Sequence, residues 1–494
     1  MSKHPSHQRI NLASLADQVL LDWGLRPYFS EAALQQLELI DEAPVQATPL
    51  IKDLSSWPWC SIDNDDSRDL DQLTLSQGHS NGDMSILVAI SDVDSLVKKG
   101  SAIDEHALAN TTSIYTSAKI FPMLPDKLST NLTSLNQGVK RASIVVEMLF
   151  NHLGEIQNFD VYQAVVQNQS KLAYDAVSDW LENRSELPQA ARSVHGMDAQ
   201  LKAQDHLAQL LKKNRLKAGA LNFETFQPRA EFVGEHITKL TLQPHNRARQ
   251  LIEEFMIAAN ECISKFLMQH GGASLRRVVR SPERWARIVE VAHQYQETLP
   301  ELPDSVALEK FLAKQHQLDP LRFPDLSLVI IKLMGRGEYV VERQNQKPIG
   351  HFGLAIKNYT HSTAPNRRYP DLVTIRQVKA ILGKQDPAYS NRELEDLAAH
   401  CTSQEDASQK AERHMRKSEA AMLLTSRIGQ YFDALVTGVA QKGTWVRIID
   451  PPTEGRLSGD IPKLKVGQRL RVKLIYTSVE KGFIDFVITR SPSF

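Results

Sequence analysis

The stretch "WCSIDNDDSRDLDQLTL", residues 59–75, crowds Asp63, Asp65, Asp66, Asp69 and Asp71 into nine positions. Carboxylates at that density repel one another unless something neutralises them, and hard divalent cations prefer several carboxylate oxygens. Trp59 and Ile62 precede the cluster, and Leu70 and Leu73 interrupt it. A merely solvated acidic loop would not need such apolar flanks. The spacing is not that of an EF-hand, whose Gly and terminal Glu are missing. On the residues alone, a metal-binding cluster and an ordinary acidic turn both stand.

Outward from this cluster the chain changes character several times. "SILVAISDV" (85–93) and "ASIVVEMLFN" (142–151) are β-branched runs bounded by turn residues, and they predict strands. "RQLIEEFMIAANECISKFL" (249–267) places Leu251, Phe255, Ala258, Cys262 and Phe266 on one stripe, widened by Ile252, Met256, Ala259 and Ile263, which predicts a largely buried helix. "ERWARIVEVAHQY", "SVALEKFLAKQHQL" and the charged "NRELEDLAAHCTSQEDASQKAERHMRKSEAAMLL" predict further helices. Strands beside helices without strict βαβ alternation point to an α+β body. Before the cluster, Leu15, Val19, Leu20 and Trp23 share one helical face, the pattern breaks at Gly24 and Pro27, and Ser30 is positioned to cap a second helix. A proline-bearing linker is expected from Pro44 to about Trp57. At the other end, residues 431–490 read as about five short strands punctuated by Gly438, Gly443, Gly455 and Gly467, the rhythm of a small β-barrel.

The chain has 494 residues, 42% of them hydrophobic and 23% charged. That is ordinary globular usage, which argues against wholesale disorder, collagen-like repeats or a coiled-coil rod. At about 150 residues per domain, roughly three units are expected. The boundaries read as a helical N-terminal region and linker (1–56), a long body (57–426) and a C-terminal barrel (427–494). Lys and Arg number 58 and Asp and Glu also 58, a balance that on its face disfavours a polyanion binder. The average is misleading, because residues 427–494 hold 11 basic and 6 acidic side chains while residues 1–60 hold 4 and 7. A basic small barrel suggests an OB-fold on RNA, with a purely structural barrel as the alternative. Cys60, Cys262 and Cys401 lie far apart with no CxxC pair, which excludes a disulfide framework and the usual zinc spacings. The start, "MSKHPSHQRIN", lacks the apolar core of a signal peptide, and no apolar run approaches the roughly 20 residues that cross a bilayer. The expectation is a cytoplasmic protein with no membrane partner.

Around the acidic cluster the chain resembles the RNase II/RNase R family of 3′→5′ exoribonucleases, the RNB-domain proteins. The family signature is an Asp, a second Asp six residues on, then x-Asp-Asp. Asp63, Asp69 and Asp71 match it, and Gln72 stands where the last Asp is expected. "ISDVDSLVKKGSAIDEHA", "IYTSAKIFPMLPDKLSTNLTSLNQG", "YDAVSDWLEN", "LIEEFMIAAN" and "HFGLAIKNYTHSTAPNRRYPDL" resemble family blocks in family order, from about residue 57 to 494. The departures are specific. The cold-shock domains usual at the N-terminus have no room in residues 1–56, Ala364 and Asn366 replace the commoner Ser and Ile, and Ile375 stands where a His usually precedes Arg376.

The resemblance implies an RNB catalytic domain followed by a C-terminal OB-fold, and a monomer that hydrolyses single-stranded RNA, not DNA, from its 3′ end to nucleoside 5′-monophosphates. It implies Mg²⁺ as cofactor, with Asp63, Asp69 and Asp71 as ligands in a two-metal arrangement, and Asp71 also among the catalytic residues. Gln72 keeps an oxygen but loses a charge, and Asp65 or Asp66 could compensate. Arg367 matches the catalytic arginine, since a guanidinium fork suits charge building on a phosphoryl group. Arg368 is expected to be structural or a phosphate contact. Tyr115 matches a base-clamping aromatic, Phe223 the opposite jaw, and Tyr174 and Glu254 positions that contact the terminal ribose, with Glu253 able to exchange roles with Glu254. His351 and His361 are read as structural. A non-catalytic RNA-binding regulator on the same fold, and a nuclease acting on DNA, are the competing readings.

Overall fold

The computed structural model describes residues 11–43, 48, 50–224, 228–233, 236–242, 246–320, 322–343, 346–440 and 442–489. Residues 44–47 and 49 of the expected linker lie outside them. At the centre, strands Trp59–Asp63, Gln72–Gly78, Met84–Ser91, Lys140–Phe150 and Ile156–Ala173 pair in succession, and the fifth also pairs with the first, so the sheet closes on itself. Closure depends on the last strand. Its 18 residues pair antiparallel with Lys140–Phe150 from Ile156 to Gln167 and parallel with Trp59–Asp63 from Asn168 to Ala173. The short strand Ile51–Asp53 lies parallel beside it, so this part of the expected linker belongs to the sheet.

Alternation divides the ring's side chains into two sets. Trp59, Leu73, Leu75, Leu87, Ala89, Val145, Tyr162, Ala164 and Val166 come from all five ring strands and form one buried cluster, the inside. Cys60, Ile62, Ile86, Val88, Ile90, Ile144, Val146 and Leu172 face outward and pack on helices Met197–Lys217 and Arg247–Gln269. The second of these is the helix expected over 249–267, started by Asn246, whose side chain accepts from the Arg249 amide. Helix Ser305–Leu318 coincides with the predicted segment and, with Trp285–Gln294 and Phe323–Met334, encloses a separate core around Trp285, Phe311 and Leu312.

The N-terminal helices, Leu12–Asp22 and Glu31–Glu38, dock on the body. Ser30 caps the second through the Ala33 amide. A 35-residue helix, Asn391–Thr425, opens with a capping box between Ser390 and Glu393. It packs its Ala407, Ala411 and Met415 on the first N-terminal helix, and its Ala420, Ala421 and Leu424 enter the core of the C-terminal module. That module is a closed barrel of five strands, Tyr431–Ala440, Gly443–Ile448, Thr453–Leu457, Arg469–Ser478 and Phe483–Ile488, in spatial order one, two, three, five, four. It is OB-like, as expected. Among the described residues no helix is long and apolar enough to cross a membrane.

Candidate active site

Asp63 ends one ring strand and Asp71 immediately precedes the next, so the acidic cluster is the turn between two neighbouring strands. The turn is pinned at both ends. The Leu70 amide donates to Ser134 Oγ at 2.9 Å, the Leu135 amide to the Leu70 carbonyl at 2.9 Å, and the Ser91 amide to the Asp71 carbonyl at 2.9 Å. Lys171 Nζ donates to the Ser67 carbonyl at 2.7 Å. Asp63 Oδ1 accepts from Ser67 Oγ at 2.8 Å, and Asp69 Oδ2 accepts from the Tyr115 hydroxyl at 3.3 Å. Asp65 and Asp66 point to solvent.

Asp71 is 1% exposed, and a loop almost 300 residues away in sequence neutralises it. The Asn366 amide donates to Asp71 Oδ1 at 2.9 Å and Arg367 Nε to Oδ2 at 2.9 Å. Burial pushes the Asp71 carboxyl up to about 7, Arg367 acts to lower it, and Asp69 adds repulsion. Burial also raises Asp69, with Arg367 opposing and Asp63 reinforcing. Burial works against the Arg367 charge, but Asp71, Tyr115, Asp63 and Asp69 all favour it and its pKa rises. The Arg367 side chain keeps 43% of its surface accessible, which leaves it open to an incoming anion.

The arginine loop is held by many contacts. Asn260 Oδ1, on helix Arg247–Gln269, accepts from both the amide and the hydroxyl of Ser362 at 2.8 and 2.7 Å. The Ser113 amide donates to the Arg367 carbonyl at 2.9 Å, and the Tyr369 amide to the Thr111 carbonyl at 2.8 Å. Asn366 is fully buried, and its Oδ1 accepts from Thr133 Oγ1. Sequence reasoning treats Asn366 only as a departure from a motif. Its backbone N–H donates to Asp71, and its side chain, a polar group at a fully buried position, is fixed on Thr133.

A family model for the RNB domain matches residues 51–384, more than half of the chain, and one for the RNase II-type exonuclease C-terminal S1 domain matches residues 430–489. The chain belongs to the RNB family. It is 28% identical over 500 residues to ribonuclease R of Thermotoga maritima, covering 93% of this chain and 68% of that protein. To ribonuclease R of Escherichia coli it is 29% identical over 508 residues, covering 94% and 61%. The structure of Mycoplasma genitalium RNase R in complex with ribose-methylated single-stranded RNA superposes with a TM-score of 0.87 at 23% identity, over 97% of this chain and 78% of that one. At that identity the likeness establishes the fold.

Within this RNB chain the remaining expected site residues separate into two groups. Tyr174 joins the acidic turn: it opens the helix that follows the long ring strand, and the Arg249 guanidinium lies 4.5 Å over its ring while donating to Asn64 Oδ1 at 2.6 Å. Arg249 is a neighbour that sequence reasoning misses, and its place in the first turn of a helix gives no signal. Glu254 stands apart. Both its oxygens receive Arg215, Nε at 2.7 Å and Nη2 at 2.6 Å, and its side chain is 1% exposed. Glu253, one residue earlier, has a side chain 45% exposed. Arg368 pairs with Asp371 at 2.7 Å in the first turn of helix Tyr369–Leu382. Phe223 packs half-buried against the Trp285, Phe311 and Phe323 cluster, while the neighbouring Leu221 and Glu224 amides bond to Gly353 and Ser327. His351 and His361 meet Tyr359 and Tyr339 edge to face, and burial pushes His351 down to about 4 and His361 well below its usual range. They are neutral packing and hydrogen-bonding groups.

Gln72 begins its strand and shares a face with Thr74 and Ser76, which bond to Gln204 and Gln200 of helix Met197–Lys217. In donor type the turn fits a hard divalent cation, since buried, mutually repelling carboxylate oxygens are what such an ion neutralises. Asp63, Asp69 and Asp71 are the residues that would hold it, although among the described residues no three His, Cys, Asp or Glu side chains are already gathered as a metal-holding group, and Arg367 neutralises Asp71.

Proposed function

We propose that the chain is a hydrolytic exoribonuclease that shortens single-stranded RNA from the 3′ end and releases nucleoside 5′-monophosphates. The observation that carries this reading is the convergence of Asn366 and Arg367 on buried Asp71, beside Asp69 and Tyr115. A phosphodiester entering there meets an accessible guanidinium whose orientation is fixed by Asp71, so its charge is aimed before substrate arrives. Tyr115 offers an aromatic face for a base. Arg368, tied to Asp371, orients the loop. The basic C-terminal barrel guides the strand.

Mg²⁺ dependence, with Asp63, Asp69 and Asp71 supplying oxygens, is part of the proposal on donor chemistry alone; such an ion supplies phosphoryl charge neutralisation and an acidified water. The test is incubation with 3′- and 5′-labelled RNA and with a DNA oligomer of the same sequence, with Mg²⁺ and with EDTA. Mononucleotide release from RNA only, stopped by EDTA, is expected; no release overturns the reading. One alternative has an observation in its favour. Gln72, an amide where the family signature has a carboxylate, fits a non-catalytic RNA-binding regulator. Asp71→Asn decides between them, because loss of degradation with RNA affinity retained excludes the regulator.

A further inference from the structure

We propose that the N-terminal helical segment is part of the substrate grip, with Asp17 as a positioning residue that holds the hairpin bearing Tyr115 in the pose that meets RNA. This rests on the reading of Tyr115 as a base-stacking residue.

The hairpin has little stability of its own. Its strands, Ile114–Tyr115 and Ile120–Phe121, contribute two residues each, and only two register pairs hold them. Isolated two-stranded hairpins are marginal even when longer, so the position of Tyr115 is set by what surrounds it. Two elements do so. From the long helix, Glu412 Oε1 accepts the Tyr115 amide at 3.1 Å. From the N-terminal segment, Leu12, Ala16, Val19, Leu20 and Leu25 share one buried cluster with Ile114 and Phe121 of the hairpin.

Asp17 fixes the polar edge of that contact with both its oxygens. Oδ1 accepts from Lys119 Nζ at 2.6 Å, and Oδ2 accepts from the Tyr28 hydroxyl at 2.6 Å. The Lys119 ammonium in turn stands 4.7 Å from the Phe121 ring and 5.1 Å from the Tyr28 ring. One carboxylate therefore ties the first helix, the segment that follows it and the hairpin turn. From the hairpin the connection is direct to the acidic turn, through the Tyr115 hydroxyl and Asp69. The pair is partly shielded, with 34% and 22% of the Lys119 and Asp17 side chains exposed.

A segment that merely covers the body and one that positions Tyr115 differ in their kinetics. Losing a grip on RNA raises KM, whereas general destabilisation lowers the amount of active protein. In the full-length chain with single-stranded RNA and Mg²⁺, Asp17→Ala is expected to raise KM about fivefold, the equivalent of one partly shielded ion pair. The kcat should stay within about twofold. Asp17→Glu should recover most of the loss, and Lys119→Met should reproduce it from the other partner. In a Tyr115→Ala background, Asp17→Ala should change KM no further, because the element it positions no longer has its ring. A KM unmoved by either Asp17→Ala or Lys119→Met, a loss confined to kcat, or effects additive with Tyr115→Ala would each overturn the positioning role. If Tyr115→Ala alone leaves KM unaltered, it is the stacking reading of Tyr115 that falls.

Discussion

The molecule contains two closed five-stranded rings that put closure to opposite uses. In the central ring, the outer surface is mostly apolar and covered by helices, and the carboxylate cluster sits in a turn at the strand ends. In the C-terminal barrel, the outer surface carries Tyr431, Ile475, Tyr476 and Phe483 in the open, with the Lys473 ammonium over the Tyr431 ring. Closing a sheet removes its edges in both cases. What differs is where the polypeptide leaves polar groups to act. A carboxylate turn walled in by packed helices can hold Asp71 and Arg367 in one fixed geometry, whereas a basic, aromatic outer face suits a strand of many registers.

The largest test of this contrast falls on the central ring. Arg367→Ala and Arg367→Lys should each lower the rate of mononucleotide release by about 10²–10³-fold, the usual cost of removing one aimed donor. Lysine is not expected to rescue, since it lacks the planar fork. Affinity for RNA, measured by anisotropy, should fall far less; equal losses in rate and affinity would erase the division between the two rings.

An intermediate effect is expected in stability. Burial pushes His106 and His351 down to about 4 in the body, while residues 427–494 contain no histidine. A histidine with a depressed folded pKa contributes stability that is present above about 6.5 and is lost as pH falls toward 4, up to about 3 kcal/mol for each fully buried ring. Glu309 and Asp71, both raised to about 7 by burial, act with the opposite sign over that range. Acidification from pH 7 to 5 should therefore move the unfolding midpoint of the body, downward through the histidines and upward through the carboxyls, while leaving that of the barrel nearly unchanged, as read by separate calorimetric transitions. A barrel that melts in step with the body would show that the two rings are one cooperative unit.

The smallest effect belongs to the barrel surface. Lys473→Ala should weaken binding of all single-stranded RNAs alike and reduce the salt slope of log affinity by about 0.7, the share of one phosphate contact on a single strand. A sequence-selective loss would mean that the face reads bases.

Much of this was legible in the primary structure where the signal is local. Helix Ser305–Leu318, the Ser30 cap and the five barrel strands follow from apolar spacing, hydroxyl caps and glycine punctuation. Ring closure was not, because it depends on one 18-residue strand that changes partner half-way, and partner choice leaves no trace in alternation. At the site, the acidic turn and Arg367 were identifiable from their residue types and the family resemblance. The pairing of Glu254 with Arg215 was not, since adjacent glutamates on a helix look alike until the opposing helix supplies a cation. For Phe223 the packing was not legible either: it lies half-buried against the core of a three-helix unit.

The 35-residue helix Asn391–Thr425 spans about 52 Å and touches the N-terminal segment, the Tyr115 hairpin and the barrel core on the way. It therefore sets phase as well as distance. One residue inserted between Glu412 and Ala420 would advance the barrel by about 1.5 Å and turn it by about 100° relative to the hairpin. Substitutions along this helix are cheap on its wet side, but its length is not free to drift: a chain that lost or gained a single residue there would aim the two rings at different paths.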